Sequence, residues 1–506
     1  MKRIFNKYIP AIFAVLLFSC VKLDPVSYSE YSPANFPKTE DDLKAMVLSC
    51  YQPLSSYGIL DVQFWNECMT NTVVGAYGTQ QACHTLAFDE TTGDLTNYYK
   101  FASQISRATL VIDAIENSVL SDALKKRYIA EVRCSRAYLM YTLFDLFGGL
   151  IIAPIEILKN PLQDQPLPRS SIEETAAFIE ADLIAAAEGL PYPKNAEYGK
   201  FSKGFANMLL IRLYLHETIH FTADGKVTRN PENYHKVETV ARELMKPEYG
   251  YALAPSYTDM FTVGKQAACR NEFILAFPSS ITGPNVHYWQ LKVMPTNVGT
   301  SAGGDLAGWQ TLAGDWKFFD TFEPADSRKK YMIDEYINLE GSKQDRSNPG
   351  DGLKFGPVPL KYYVDDNIIK QSSMSLADRV IYRYADVLLS LAEALVFKPG
   401  GTVNQEALDL INEVRRRANL PDKQLADVPS KKAFEDLLLL ERAHEFWCEN
   451  GQYRADLIRF DKLLEVILEA NNGIAPRASK YKYLYPLPNY AIVDGKGKVH
   501  QNPGYR

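Results

Sequence analysis

Two histidines and a glutamate lie close together in the segment His216-Glu217-Thr218-Ile219-His220. On a helix, this spacing would place both imidazoles on one face, where they could bind Zn²⁺ with the glutamate as general base. A catalytic zinc also needs a third protein ligand, and His235, Glu238 and Glu243 fit none of the familiar spacings. Chance alone gives this pentapeptide in about one or two of every hundred chains of this length. A zinc metalloprotease is therefore only a remote alternative.

The stretch from Gly283 to Trp316 combines large rings with many glycines. It holds three of the chain's five tryptophans, and it lacks helical or strand periodicity. Long irregular loops are usually functional or disordered, and disordered segments are poor in aromatic residues. Flat rings suit the apolar faces and hydroxyl edges of a sugar, although they could instead fill the core beneath an insertion. The candidate ligand-binding residues here are Tyr288, Trp289, Trp309 and Trp316.

A second aperiodic region, from Gly58 to Gly93, supplies a candidate second wall for the same site. Its rings that could contact a ligand are Trp65 and Tyr77. Hydroxyl groups of a sugar would also need hydrogen-bonding partners near the rings. The polar side chains in position to supply them are Asn285, Asn297, Asp305 and Gln310.

The N-terminus has the pattern of an export signal. Lys2, Arg3 and Lys7 precede the apolar run Ile9–Phe18, which is too short to span a bilayer as a helix. Cys20 follows a small residue, and this arrangement resembles a bacterial lipobox, whose cysteine becomes lipidated. An ordinary signal peptide with a coincidental cysteine is the alternative. We predict a lipoprotein signal peptide over residues 1–19, acylation of Cys20, and a tether over residues 20–37.

Charge and cysteine content argue against several classes of partner. The net charge of −6 becomes −9 without the first 19 residues, which carry three basic residues and no acid. Binding of nucleic acid calls for a concentrated basic face, so we predict no nucleic-acid partner. The six remaining cysteines have no metal-site spacing, and the sequence leaves open whether any pair is bridged. We also predict no cofactor and no enzymatic activity, although carboxylate pairs for glycoside hydrolysis are not excluded.

Apolar residues recur at intervals of three and four in successive segments, which predicts amphipathic helices. Thr39 before an acidic turn predicts a helix start, and Gly148-Gly149 predicts a helix end. A late stripe from Leu457 to Ile467 predicts one further helix. A two-helix unit cannot bury its own stripe, so neighbouring pairs must cover it. We predict a mainly α fold of tetratricopeptide-like stacked helix pairs, with a large loop-rich region and a few short β-strands such as Glu272–Phe277.

A set of longer motifs is spread in order over the mature chain. Its members are Cys20 with Leu23-Asp24, Ala137–Phe144 before Gly148, Phe322 with Asp326 and Arg328, Arg383–Ala394, Ile411–Pro421, Glu441-Arg442, Asp456–Arg459, Tyr485–Asn489 and Gln501–Tyr505. Together they resemble the SusD/RagB family of Bacteroidota outer-membrane lipoproteins. The ordered set is specific, whereas each motif alone is weak. One departure is Tyr453, which stands where the family usually has arginine, in a segment one residue longer than expected.

The resemblance implies a single body over residues 38–506. Its parts would be an N-terminal helical half (38–258), a loop-rich ligand-binding insertion (259–372), and a C-terminal motif region with an extended tail (373–506). It also implies a lipid-anchored, surface-exposed outer-membrane protein. Such a protein captures oligo- or polysaccharide on loop aromatics and delivers it to a SusC-like TonB-dependent transporter. The arginines and glutamates of the motifs would fix helix stacking rather than perform chemistry.

One branch of this family gives an alternative function, the binding of peptide or protein in the manner of RagB. Peptide capture relies on backbone hydrogen bonds and charged pockets, whereas exposed rings favour sugar. The acidic run Asp365-Asp366-Asn367 could help to hold calcium, although a solvated turn is the simpler interpretation.

Overall fold

Helices form most of the body, as the apolar stripes predict. The computed structural model describes residues 36–54, 61–160, 162–163, 165–221, 226–280, 287–298, 308–362 and 375–505. In these ranges the helices are α1 Glu40–Tyr51, α2 Val62–Cys68, α3 Gly78–His84, α4 Gly93–Thr96, α5 Ser103–Glu116, α6 Asp122–Phe147, α7 Ile155–Leu158, α8 Ile172–Gly189, α9 Lys203–His216, α10 Asn233–Leu244, α11 Trp289–Val293, α12 Trp316–Asp320, α13 Tyr384–Phe397, α14 Gln405–Arg417, α15 Lys431–Phe446, α16 Gln452–Arg459, α17 Leu463–Ala470 and α18 Asn489–Asp494.

Short strands pair in antiparallel twos within the described ranges. The strands are β1 Val73–Gly75, β2 Ile219–Phe221, β3 Val227–Arg229, β4 Phe273–Phe277, β5 Leu312–Gly314, β6 Met332–Ile333, β7 Tyr336–Ile337, β8 Lys343–Gln344, β9 Val358–Pro359 and β10 Arg379–Arg383. The pairs are β1 with β5, β2 with β3, β4 with β10, β6 with β9, and β7 with β8. Long helices with a few two-stranded ribbons confirm the predicted fold class.

The helical scaffold is a stack in which successive helices cover one another. Helix α6 packs on α5 and α8, α9 packs on α8 and α10, and α13 packs directly on α10 before α14 covers α13. Helix α9 carries apolar residues on all of its sides and is almost wholly buried, as expected for a helix in the middle of such a stack. The chain therefore leaves the stack after α10 and returns to it at α13. We call the intervening part, residues 245–383, the loop excursion.

Local sequence signals fix several helix ends. The Thr39 hydroxyl accepts a hydrogen bond from the amide of Asp42, whose carboxylate accepts from the Thr39 amide, so α1 begins with a capping box. Gly148 closes α6 with a φ of 75°, a conformation that favours glycine. The single late helix predicted from Leu457 to Ile467 is wrong, because the chain turns at Asp461 with a φ of 57°. That turn separates α16 from α17.

Buried ion pairs tie the excursion from the stack to helix α15. The Glu445 carboxylate on α15 accepts a hydrogen bond from Arg383 of β10 at 2.6 Å and further bonds from Arg328 and Arg417. Arg383 also donates to Glu272, just before β4, at 2.5 Å. The side chains of this cluster are at most 4% exposed.

A second buried cluster joins the helices of the stack to one another. Arg442 of α15 donates to Asp386 of α13 and to Asp456 of α16, both at 2.6 Å. Arg212 of α9 lies 3.2 Å from the same Asp456 carboxylate, and Arg459 adds a further partner at 2.9 Å. These arginines and acids are structural, as expected, because each charge is paired inside the core.

The six cysteines of the described chain, Cys50, Cys68, Cys83, Cys134, Cys269 and Cys448, are free and buried. The question of bridging that the sequence left open is therefore answered for this structure. Cys20 lies outside the described residues, as does the acidic run at 365–367. Among the described helices, none combines the length and apolar character that a membrane crossing requires.

Removal of the Glu445 charge should destabilise the protein strongly. In Glu445→Gln, three buried arginines lose a shared counter-charge, and breaking a buried pair costs about 3–5 kcal/mol. Urea unfolding of the soluble chain would measure the loss. The matched control is Glu465→Gln, which removes the partner of Lys462 on the surface and should cost less than about 1 kcal/mol. Equal losses for the two variants would contradict the structural role of the buried network.

Glu67 should make stability depend on pH. Burial raises the pKa of its carboxyl from 4.5 to about 8, and one carboxyl oxygen lacks a hydrogen-bond partner among the described residues. Between these two values the folded protein holds a proton that the unfolded chain has released, so stability falls as pH rises. The difference between the urea unfolding midpoints at pH 5 and pH 8.5 should therefore be smaller in Glu67→Gln than in the wild type. A fall of the same size in both proteins would contradict this assignment.

Candidate functional site

The β1–β5 ribbon brings two aromatic residues from distant parts of the chain to one edge of the molecule. Gly75 pairs with Leu312, and the Ala76 amide continues the ladder to the Thr311 carbonyl at 3.2 Å. Tyr77 follows β1 and precedes α3, while Trp309 lies just before β5. Tyr77 is 56% exposed and Trp309 is 60% exposed. Both predicted ligand-binding rings are therefore open to solvent at the same end of the ribbon.

A third ring, Phe355, completes what we call the aromatic platform: Tyr77, Trp309 and Phe355. Its ring lies edge-on to that of Tyr77, with centroids 5.7 Å apart. Phe355 is half-buried and was missed by the sequence analysis. The glycines at 350, 352 and 356 around it mark an aromatic residue on a tight loop, which is the same signal that identified Trp309.

Backbone hydrogen bonds hold the Trp309 end of the platform in place. The Trp309 amide donates to the Leu291 carbonyl at 2.6 Å, and the Gly308 amide donates to the Pro295 carbonyl at 3.1 Å. A Cβ at position 308 would lie 2.4 Å from the Met294 carbonyl oxygen, so only glycine allows this close approach. The exposed indole thus projects from a fixed loop.

The predicted polar groups are placed unevenly around the platform. Gln310 is buried, and its side-chain amide donates to the Asp351 and Gly352 carbonyls at 2.7 and 2.9 Å, so it supports the loop. Asn297 is partly exposed and accepts from the Tyr336 hydroxyl at 2.8 Å. The other two candidates, Asn285 and Asp305, lie outside the described residues.

Two of the predicted rings are core residues. Trp289 and Trp65 are each 8% exposed, so the expectation that they present open faces is wrong. The Trp289 indole donates to the Pro359 carbonyl at 2.8 Å, and the Trp65 indole donates to the Tyr98 hydroxyl at 3.1 Å. Both rings pack edge-on against Phe64. They fill the core beneath the loops, which was the alternative interpretation of these tryptophans.

Trp316 and Tyr288 are intermediate cases. Trp316 is partly buried, and the Arg346 guanidinium carbon lies 4.6 Å from the centroid of its ring. Asp320 fixes that guanidinium through two hydrogen bonds of 2.8 and 3.0 Å, so the ring already has a partner. Tyr288 is half-buried at the start of α11. Ligand contact by these two residues remains a prediction.

The histidine motif does not form the helical zinc site. Helix α9 ends at His216, Glu217 is its C-cap, and His220 lies in strand β2, so the two imidazoles do not share a helix face. His216 Nε2 lies 3.8 Å from the Asp145 carboxylate. No group of three potential ligands suitable for a metal occurs among the residues that the structure describes. The helical arrangement on which the remote protease alternative depended is therefore wrong for this segment.

Two family models match the chain over different parts of its length. One, described as the SusD family, matches residues 299–505. The other, described as starch-binding and associating with the outer membrane, matches residues 27–215. Among curated relatives, SusD-like protein P38 of Formosa agariphila is 23% identical over 100% of this chain and 99% of its own.

Solved structures agree with the fold. A SusD homologue from Bacteroides thetaiotaomicron superposes with a TM-score of 0.75 at 19% identity, covering 94% of this chain and 98% of its own. Surface glycan-binding protein A of the same organism, in complex with laminarihexaose, gives a TM-score of 0.69 at 20% identity, with 92% and 99% coverage. The chain therefore has the fold of these SusD homologues. The chain belongs to the SusD/RagB family.

Metal removal should leave the protein unchanged. Because the motif histidines lie on different elements, prolonged treatment with EDTA should shift the thermal unfolding midpoint no more in the wild type than in His220→Ala. Elemental analysis of the purified chain should find zinc far below one atom per molecule. A chelator-induced destabilisation that His220→Ala abolishes would restore the metal-site interpretation.

Proposed function

We propose that this protein is a cell-surface binding protein that captures oligo- or polysaccharide on the aromatic platform. The observation that carries the proposal is the joint exposure of Tyr77 and Trp309 at one end of the β1–β5 ribbon. Exposed apolar groups that cluster on one surface mark binding sites more often than exposed residues that stand alone. Sugar rings present apolar C–H faces that pack on such aromatic rings, while their hydroxyls stay hydrated at the edges.

Rigidity of the platform supports this function. The Trp309 loop is fixed by main-chain hydrogen bonds, and Tyr77 is held between a strand and a helix. A preformed site loses little conformational entropy when the ligand binds. Each ring contributes a modest free energy, so a polymer with repeated sugar units gains affinity by engaging several rings at once.

Family membership supports the same ligand class. One family model is described as starch-binding, and a related solved protein is in complex with the glucan oligosaccharide laminarihexaose. We propose a binding role without catalysis for this chain, in which bound glycan passes to a SusC-like TonB-dependent transporter. Acylation of Cys20 would anchor the protein in the outer membrane with its body at the cell surface.

Substitution of either platform ring should weaken binding of polysaccharide. In affinity electrophoresis, the soluble chain that starts after Cys20 should be retarded in a gel that contains laminarin or starch. Trp309→Ala should reduce the association constant about tenfold or more, and Tyr77→Ala should reduce it less, because stacking on one ring contributes about 1–2 kcal/mol.

The matched control is Tyr490→Ala, since Tyr490 is an exposed ring on α18, away from the platform elements. Its retardation should equal that of the wild type. Retardation that persists in both platform variants would place the glycan elsewhere. If no polysaccharide in a broad panel retards the wild type while peptides bind, the peptide-binding alternative would replace this proposal.

A further inference from the structure

A cavity of about 400 Å³ lies at one end of the helical stack, and none of its walls belongs to the aromatic platform. It is enclosed by the end of α6, the start of α8, the end of α9, strand β2, helix α16 and the C-terminal tail. His216 and His220, the two histidines of the motif discussed above, line this cavity. The volume lies within the range of small-molecule sites in proteins.

Aromatic rings from separate elements form the walls of this cavity. Phe144 of α6 lies against the imidazole of His216, with ring centroids 4.7 Å apart. On the other side, Phe221 of β2 and Tyr483 of the tail meet edge-to-face at 4.9 Å. These rings give the cavity an apolar lining that suits an aromatic or aliphatic body.

The cations of the cavity wall differ in how their charge is balanced. Arg459 is paired with Glu393 at 2.6 Å, and Lys480 is paired with Asp461 at 2.6 Å. Arg212 is likewise paired with buried aspartates. Arg169 differs, because no carboxylate of the described chain lies within ion-pair distance of it.

Arg169 is held instead by neutral oxygen atoms. Its guanidinium donates to the Gly149 carbonyl at 2.7 Å, to the Asn502 side-chain oxygen at 2.8 Å, and to the carbonyls of Phe147 and His500. Burial lowers the pKa of Arg169 from its usual value, as expected for a cation without a counter-ion. An anion at this end of the cavity would supply the missing charge.

Two of the acidic side chains near the cavity already have partners. The Asp145 carboxylate is paired with Arg454 at 3.0 Å. The Glu174 side chain is used in the capping box at the start of α8. His216 Nδ1 is buried without a hydrogen-bond partner in the described ranges, and it lies 3.7 Å from the Glu217 carboxylate.

We propose that this cavity binds a small amphiphilic acid. Its apolar body lies between Phe144, Phe221 and Tyr483, and its carboxylate lies beside Arg169. The site is independent of the glycan platform, so its failure would leave the proposed function intact. Charge-assisted hydrogen bonds to a guanidinium strongly favour a carboxylate over its neutral amide.

Isothermal titration calorimetry with 4-phenylbutyrate and its amide tests this proposal on the chain that starts after Cys20. The wild type should bind the acid with one site per molecule and the amide about tenfold more weakly. Arg169→Gln should remove the preference for the acid, while Phe221→Ala should weaken both ligands. Trp309→Ala should change neither.

The control Arg270→Gln removes a cation that lies over the ring of Tyr198, outside this cavity, and should bind the acid as the wild type does. Thermal midpoints of all variants show whether each one is folded. If Arg169→Gln disturbs the packing of the C-terminal tail, Phe221→Ala in the β2–β3 hairpin still tests whether the cavity binds the ligands. No saturable binding of the acid to the wild type at millimolar concentration would overturn the proposal. Equal affinity for acid and amide, or an unchanged preference in a folded Arg169→Gln, would do so as well.

Discussion

A buried charge needs a partner, and this requirement organises the whole body. Glu445 on α15 holds Arg383, Arg328 and Arg417 in a dry environment, where an unpaired ion would cost several kcal/mol. These three arginines come from β10, from the loop excursion and from the end of α14. The pairing therefore fixes the position of the loop excursion relative to the helical stack. The loops that carry the ligand-facing rings are positioned in the same way.

The platform shows how an irregular region becomes a defined site. The described residues between 245 and 383 have little regular structure, yet they are bound to the body by buried ion pairs and by ribbons such as β1–β5. Trp289 of this region and Trp65 of α2 are buried in the core, while Trp309 of this region and Tyr77 before α3 are exposed.

Sequence patterns predicted the structural features that depend on residues close together in the chain. The capping box at Thr39, the turn at Gly148 and the apolar stripes each reflect local physics, and the motif order identified the family. The sequence could not predict that Trp289 is buried while Trp309 is exposed. The burial of Trp289 depends on contacts with Phe64 and Pro359, which are far away in sequence.

The histidine motif failed for a related reason. The two histidines share a helix face only if α9 continues through His220. The alternation of apolar and polar residues from Ile219 to Phe221 indicates a strand only once the β2–β3 pairing is known. Phe355 joined the platform through a ring contact with Tyr77 across 278 positions of sequence, which no local pattern encodes. Fold class was therefore accessible from sequence, whereas the choice among site residues required the tertiary structure.

The most direct test of a sugar site on the platform is acrylamide quenching of tryptophan fluorescence with and without bound glycan. Trp65, Trp289 and Trp447 are buried, so the readily quenched emission should come mainly from Trp309. Saturating polysaccharide should protect that emission, and Trp309→Phe should lack both the accessible signal and its protection. Bound glycan that leaves the quenching of wild-type Trp309 unchanged would contradict the account.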